Sequence, residues 1–236
     1  MKKTLLNFAF ALVSVAMIGQ VSTKEKQALL DLYIATNGEA WTNTWDINTP
    51  VSDWQGVTVK QDKVTGLSLL FNNINGTLPS SLGDLEHLQV LELAFNGLKG
   101  TIPSSIGKMT QLEVLSFNGN FLVGEIPSSL GKLSKLQELH LSSNKLSGNL
   151  PMSIGSLNNL IVLNVFDNEL TGVIPEGLVA SRSLRELVVA ENNFTEMERF
   201  SEVMLRNSGS SLDLYKPILT PSAKSVIAIE TSDDEN

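Results

Sequence analysis

The sequence contains 236 residues, of which 42% are hydrophobic and 18% are charged, and its formal net charge at pH 7 is −8. A surface with this excess of acids repels the phosphates of nucleic acids and of anionic lipids, so we expect neither nucleic acid nor a membrane as a partner. The chain has no cysteine, and its two histidines, His87 and His140, are far apart in the sequence. We therefore expect no disulfide, no metal site and no cofactor.

The N-terminal stretch has the composition of a secretory signal peptide. Lys2 and Lys3 precede an apolar run from Leu5 to Ile18, which is shorter than the roughly 20 residues that cross a bilayer as a helix. We predict a signal peptide over residues 1–20, with an uncleaved membrane anchor as the alternative. Because no second apolar run of spanning length follows, we expect a secreted or extracytoplasmic protein, in the periplasm or at the cell surface, without stable membrane insertion.

Residues 21–63 are predicted to form an N-terminal cap. The stretch from Lys24 to Thr36 has an amphipathic helical pattern, and Asn37-Gly38 is a helix stop signal. Val57 to Val59 and Val64 to Leu69 flank a polar turn, which predicts a hairpin. Three tryptophans lie between the helix and this hairpin: Trp41, Trp45 and Trp54. We interpret them as an aromatic plug that covers the apolar end of the following units, with a sugar-stacking surface as the alternative.

Residues 64–207 repeat one pattern with a period of 24 residues. The pattern is approximately L-x-x-L-x-L-x-x-N-x-L-x-G-x-[IL]-P-x-x-[LI]-G-x-[LM]. Its six copies begin at Val64, Leu88, Leu112, Leu136, Leu160 and Leu184. A fixed period of this length predicts a solenoid, in which each unit buries its apolar edge against its neighbours.

The individual positions of the pattern indicate how one unit folds. Leucines two residues apart, such as Leu91 and Leu93, have the period of a strand and point to the core. An asparagine recurs where the strand turns a corner, at Asn72, Asn96, Asn120, Asn144, Asn168 and Asn192. A buried amide offers both donors and an acceptor, so stacked asparagines can satisfy backbone groups in the turn. The recurring glycine and proline then predict a turn and a non-helical return path.

This pattern resembles the leucine-rich repeat family in its plant-type variant, which carries the L-x-G-x-[IL]-P signature. The resemblance covers Val64 to Pro175 fully and Glu176 to Asn207 with decay. It implies an α/β solenoid shaped as an arc, with a parallel sheet on the concave face and short second strands near Thr77-Leu78 and its equivalents. Plant members usually close the first coil with a disulfide, but Ser52 and Val59 occupy those cysteine positions here. With the short leader, this departure favours a bacterial source by analogy.

The sixth repeat departs from the pattern in a way that predicts a C-terminal cap. Glu196 stands where glycine is expected and Arg199 where proline is expected. The stretch from Thr195 to Arg206 has a helical pattern instead, and its apolar residues are available to cover the last coil. Residues 208–236 are predicted to form a loosely held C-terminal tail.

The search for catalytic chemistry gives no candidate catalytic residue. The sequence contains no G-x-S-x-G elbow, phosphate loop or dinucleotide fingerprint. Glu138 and Glu186 would lie about 10 Å apart, two strands of about 4.8 Å spacing, which approaches the separation used by inverting glycosidases. An open sheet provides no dry cleft in which one of the two carboxyl groups could stay protonated. We therefore expect a protein that is not an enzyme.

Function is expected on the solvent-facing side of the predicted sheet, where residues differ between repeats while the framework stays constant. The ligand-binding residues that we predict on this concave face are Glu92, Ser116, Asn118, His140, Ser142, Asn164 and Phe166. Their mixture of apolar and polar groups suits a protein or peptide ligand. Phe71 and Phe95 also belong to the solvent-facing positions; we favour packing at the margin of the sheet for them, with a part in the binding surface as the alternative.

The alternative function is binding of a carbohydrate or another cell-surface polymer, or an activity like that of a hydrolase inhibitor. A glycan would then be the partner. Sugar binding usually uses aromatic planes beside polar groups, and the predicted sheet positions contain neither tryptophan nor tyrosine. We therefore favour an exported recognition module that binds a protein or peptide on its concave face.

Overall fold

The computed structural model describes residues 20–195. The predicted signal peptide, nearly all of the predicted C-terminal helix and the predicted tail lie outside these residues. In the part of the chain that is described, no helix has the length and apolar character needed to cross a membrane.

The N-terminal segment begins with helix α1 (Thr23–Ala35), close to the predicted bounds. Ser22 caps this helix, because its Oγ accepts a hydrogen bond from the backbone N–H of Glu25 (3.2 Å). The buried carboxylate of Glu25 accepts one hydrogen bond from the hydroxyl of Ser22 (2.7 Å) and another from the backbone N–H of Val64 (3.1 Å). A single side chain therefore joins the start of the helix to the start of the first repeat.

Within residues 20–195 the strands form two sheets. The first sheet contains β1 (Val57–Lys60), β2 (Lys63–Ser68), β4 (Val90–Glu92), β6 (Val114–Ser116), β8 (Glu138–His140), β10 (Val162–Asn164) and β12 (Glu186–Val188). The second sheet contains β3 (Asn75–Thr77), β5 (Gly97–Gly100), β7 (Phe121–Glu125), β9 (Lys145–Asn149), β11 (Glu169–Gly172) and β13 (Asn193–Phe194). The β1–β2 pair is antiparallel, which confirms the predicted hairpin, and all other pairs are parallel. Coils follow one another in chain order, so the chain is an α/β solenoid.

The core lies inside the coils and is built from the repeating leucines. The leucine at the centre of each strand of the first sheet, from β2 to β12, is fully buried: Leu67, Leu91, Leu115, Leu139, Leu163 and Leu187. Proline precedes each return turn, so that Pro79, Pro103, Pro127 and Pro151 each precede a 3₁₀ turn and Pro175 precedes the short helix α2 (Glu176–Val179). Fixed proline geometry thus sends the chain back to the next strand.

Stacked asparagines connect consecutive coils. Asn120 donates through Nδ2 to the carbonyl oxygen of Phe117 in its own coil (2.9 Å) and of Leu93 in the preceding coil (3.1 Å). Its Oδ1 accepts from the backbone N–H of Leu98 (3.0 Å). The same pattern recurs at Asn96, Asn144, Asn168 and Asn192. These bonds confirm that the asparagines satisfy backbone groups at the turn.

The three tryptophans are buried against the first coils. Trp41, Trp45 and Trp54 are 2–4% exposed and belong to the same core as the leucines of the repeats. Each indole N–H donates to a backbone carbonyl, at 2.8–3.3 Å. Tyr33 stacks on Trp45 with ring centroids 6.0 Å apart. Buried rings cannot stack on a sugar, so this packing favours the plug over the sugar-stacking surface; the capping role remains a prediction.

Gly38→Ala is expected to destabilise this aromatic cluster. A Cβ at position 38 would overlap the ring of Tyr33, and overpacking of this kind typically costs about 1–3 kcal/mol. Urea denaturation of the wild type and the variant measures the loss. In a Tyr33→Ala background the same glycine substitution should cost much less, because the ring is gone. Equal losses in the two backgrounds would contradict the overlap.

An exposed ion-pair network also joins α1 to the first coil. Lys24 Nζ lies 2.8 Å from Glu86 Oε1 and 3.4 Å from Asp84 Oδ1. Its hydrogen bond to Glu86 raises the pKa of Lys24, and the same bond lowers the pKa of Glu86. The contribution of Glu86 to stability is therefore present above the usual carboxyl pKa and is lost as pH falls through the lowered pKa. Because the side chains are exposed, this contribution is small.

Candidate ligand-binding face

The solvent-facing side of the first sheet carries four rows of residues, which we call the open face. Members of a row occupy equivalent positions in successive coils, on neighbouring strands or directly after them. The first row is Gly66, Val90, Val114, Glu138, Val162 and Glu186; the second is Ser68, Glu92, Ser116, His140, Asn164 and Val188; the third is Leu70, Ala94, Asn118, Ser142, Phe166 and Ala190; the fourth is Phe71, Phe95, Gly119, Ser143, Asp167 and Glu191.

The structure brings all seven predicted site residues together in the middle of the open face. The second row contributes Glu92, Ser116, His140 and Asn164, and the third contributes Asn118, Ser142 and Phe166. Adjacent strands are about 4.8 Å apart, so neighbouring members of a row can contact one ligand at the same time. These residues span four consecutive coils.

Hydrogen bonds hold several of these side chains in place. The imidazole Nε2 of His140 lies 3.0 Å from Glu138 Oε2 on the same strand. The side-chain Oδ1 of Asn164 accepts from the backbone N–H of Phe166 at 3.0 Å. In the part of the chain that the structure describes, the Nδ2 group of Asn164 makes no hydrogen bond, so it is available as a donor to a ligand.

Ser116 is a correction to the predicted site. Its position on the open face is as predicted, but the residue is only 7% exposed, because it is small and lies between the longer side chains of Glu92 and His140. Its hydroxyl donates to Asn118 Oδ1 at 2.6 Å. Ser116 therefore positions the amide of Asn118 and offers little surface to a ligand. Three other small residues of the open face are buried as well: Gly66, Ala94 and Ala190.

The fourth row contains an exposed aromatic pair, which the sequence interpretation did not include among the ligand-binding residues. The rings of Phe71 and Phe95 are stacked, with centroids 4.5 Å apart and planes inclined by 7°, yet the two residues are 67% and 48% exposed. A Cβ on Gly119 would lie 2.6 Å from Cδ1 of Phe95, so the absence of a side chain at Gly119 leaves room for this ring. With Leu70, which is 42% exposed, the pair forms an apolar patch.

The backbone of the aromatic pair is strained. Phe71 and Phe95 have φ of 51° and 56°, in the left-handed region that every coil adopts at this position. This conformation costs an L residue about 1–2 kcal/mol, and stacking of the two rings returns only about 0.5–1.5 kcal/mol. Ser143, Asp167 and Glu191 share this conformation, so it belongs to the fold. The pair differs in placing two large apolar rings there that remain exposed.

The open face has no enclosed catalytic cleft. Glu138 and Glu186 flank Val162 on neighbouring strands and face solvent. Beside the first row lies an open groove of about 430 Å³, lined by Glu113, Lys135, Gln137, Asn159, Ile161, Ser183 and Arg185. Among residues 20–195, no three histidine or acidic side chains are grouped so that they could hold a metal ion.

Comparison with a family profile described as "Leucine rich repeat" finds matches over residues 86–146 and 134–194. A comparison with curated protein sequences finds no match to this chain. The family match falls within the repeats from Val64 onward that carry the open face.

Several solved structures resemble the chain. One is described as PEPR1-AtPEP1; it is 30% identical, with a TM-score of 0.68, over 73% of this chain and 25% of that chain. Another is the ectodomain of the plant membrane receptor kinase GASSHO1/SCHENGEN3 from Arabidopsis thaliana in complex with CASPARIAN STRIP INTEGRITY FACTOR 2 (30% identity, TM-score 0.68, 72% and 21% of the two chains). The BIR2 ectodomain from Arabidopsis thaliana is 28% identical, with a TM-score of 0.66, over 75% and 96% of the two chains. The chain thus spans about a quarter of the length of the first two.

Proposed function

Because the chain is a cysteine-free, plant-type leucine-rich repeat protein, we propose that it is an exported, non-enzymatic recognition module. It binds a protein or peptide segment on the open face. Six of the seven residues at the centre of the open face contact the ligand, and Ser116 acts by positioning Asn118. Ligand binding is the general role that this family implies, and export rests on the composition of residues 1–20.

One observation carries this proposal: the framework of every coil is satisfied internally, whereas the open face varies and remains available. Leucines and asparagines repeat and are bonded within the solenoid. In contrast, the second and third rows present a histidine, two amides and an aromatic ring on three neighbouring coils. The resemblance to a receptor ectodomain in complex with another molecule supports the same role.

The double substitution His140→Ala and Phe166→Ala is expected to weaken ligand binding at least tenfold. Phe166 is a half-buried aromatic residue, and aromatic residues dominate the binding energy once a partner excludes water from them. The probe is a peptide selected from a phage-displayed library of random dodecapeptides against the wild-type protein. Fluorescence anisotropy of the synthetic, labelled peptide measures the dissociation constant, and circular dichroism checks that the variant is folded.

The matched control is Lys108→Ala with Lys132→Ala, on the return turns away from the first sheet. This pair should leave the dissociation constant within about threefold of the wild-type value. The proposal would be contradicted if the lysine variant lost binding and the open-face variant kept it. The ligand would then bind on the side of the return turns and not on the open face.

A further inference from the structure

The open face differs chemically between its two ends. At the N-terminal end, in the first two coils, Leu70 and the aromatic pair of Phe71 and Phe95 form the apolar patch described above. The rings remain exposed although they stack on each other, so a partner that covers them would bury apolar surface that the fold leaves in water. A partner with apolar side chains fits this end.

The C-terminal end is acidic. Of the five acids in the four rows, four belong to the last three coils: Glu138, Asp167, Glu186 and Glu191. The four rows contain no lysine or arginine. Asp167 in the fourth row and Glu186 in the first row are exposed and lie in neighbouring coils, at opposite margins of the open face. We call these two residues the acidic pair. Fields from like charges on one surface add, so this end attracts cations.

We propose that the ligand is a basic peptide segment that lies along the solenoid axis, with its apolar side chains on the aromatic pair and its lysines or arginines on the acidic pair. This inference rests on the proposed function and adds the chemistry and the direction of the ligand. Between the two ends the segment crosses the central residues His140 and Asn164, which contact its backbone through hydrogen bonds.

The spacing of the coils sets the spacing within the ligand. Along the solenoid axis, four strand spacings separate the aromatic pair in coils one and two from the acidic pair in coils five and six, or about 19 Å at about 4.8 Å each. An extended chain advances about 3.3 Å per residue, so about six residues connect the two contacts. The apolar and basic residues of the ligand should therefore be separated by about five to seven positions.

Selection from the random dodecapeptide library tests this composition and spacing directly. Enriched peptides should carry aromatic or large aliphatic residues separated by about five to seven positions from two or more lysines or arginines. Binding of a synthetic peptide with this pattern should weaken as sodium chloride rises from 50 to 300 mM, because salt screens exposed charges. Enrichment of acidic peptides, or of peptides without apolar residues, would overturn the inference.

Charge reversal tests the acidic end. Asp167→Lys with Glu186→Lys should weaken binding of the selected peptide at least tenfold. The control is Glu125→Lys with Glu169→Lys, two exposed acids on the outer side of the second sheet. Both variants change the net charge by the same amount. A difference in peptide affinity between them therefore reflects where the substituted acids lie and not the total charge. An equal effect in the two variants would overturn the acidic contact.

Removal of the rings tests the apolar end. Phe71→Ser with Phe95→Ser should weaken binding at least tenfold without lowering the denaturation midpoint by more than a few degrees. The control is Phe121→Ser with Val123→Ser, which removes two exposed apolar side chains from the second sheet. The inference would be overturned, and the proposed function left intact, by one result. Binding would weaken when His140 and Phe166 are substituted but stay unchanged when the aromatic pair or the acidic pair is substituted. A library that yields no specific binder would contradict the proposed function itself.

Discussion

Leu29→Asp is expected to lower the free energy of unfolding by at least about 4 kcal/mol. Leu29 lies in α1, is 0% exposed, and packs into the core that continues through the repeats. Truncating such a leucine costs about 2–5 kcal/mol, and a carboxylate without a partner in this place adds a further desolvation cost. The N-terminal segment would then detach from the first coil, and the exposed apolar end should promote aggregation.

Ile34→Asp is the matched control, because it places the same side chain on the same helix at a residue that is 73% exposed. Its expected cost is no more than about 1 kcal/mol, from an acid close to the C-terminal end of the helix. Urea denaturation and light scattering measure the stability and the association state of both variants. Similar losses at the two positions would mean that α1 contributes through its own helical structure and does not cover the solenoid.

The framework of this fold could be predicted from the sequence because each framework position repeats every 24 residues. A single leucine such as Leu91 or a single asparagine such as Asn120 would not identify its place in the fold. Six aligned occurrences of each position indicate a strand, a corner and a return path. The same periodicity accounts for the parallel sheets, since equivalent residues must lie side by side in neighbouring coils. The hairpin before the first repeat was predictable from local alternation and its polar turn.

The accessibility of the open face could be predicted only in part. Ser116 and Asn164 occupy the same row, yet Ser116 is buried because the side chains on both neighbouring strands are longer. Stacking of Phe71 on Phe95 likewise depends on the absence of a side chain at Gly119, one coil further along. These effects arise between residues 24 positions apart, and the type of each residue alone does not reveal them.

The choice of ligand follows from those same variable positions. Packing does not determine which residues occupy these positions. The 24-residue period and the framework residues therefore give no information about which partner the open face binds. The left-handed backbone at the fourth row gives the clearest signal, because glycine and aspartate adopt it readily and phenylalanine adopts it only at a cost. Two phenylalanines at adjacent copies of a position that disfavours them are a cost to folding that a binding partner would offset.

Asn144→Asp is expected to cost at least about 3 kcal/mol at pH 7, although the two side chains have nearly the same shape. The amide Nδ2 of Asn144 donates to three carbonyl oxygens, those of Phe117, Leu141 and Ser142, at 3.0–3.1 Å. An oxygen in its place repels all three carbonyls, and a buried group that loses its partners costs about 1–3 kcal/mol, more when it is charged. Asn73→Asp is the control, because Asn73 is exposed and its side chain donates one hydrogen bond, to Ala40.

The cost of Asn144→Asp should also depend on pH. Burial among carbonyl oxygens raises the pKa of the introduced carboxyl group above its value in the unfolded chain. The folded variant then binds the proton more tightly than the unfolded variant, so its stability relative to the wild type increases as pH falls through the raised pKa. Protonation also restores one donor to the surrounding carbonyls. Urea denaturation of the wild type and of both variants at pH 7 and pH 4 measures this difference. A loss at Asn144 that is the same at both pH values, or no larger than the loss at Asn73, would contradict the role of the asparagine stack in satisfying the backbone of neighbouring coils.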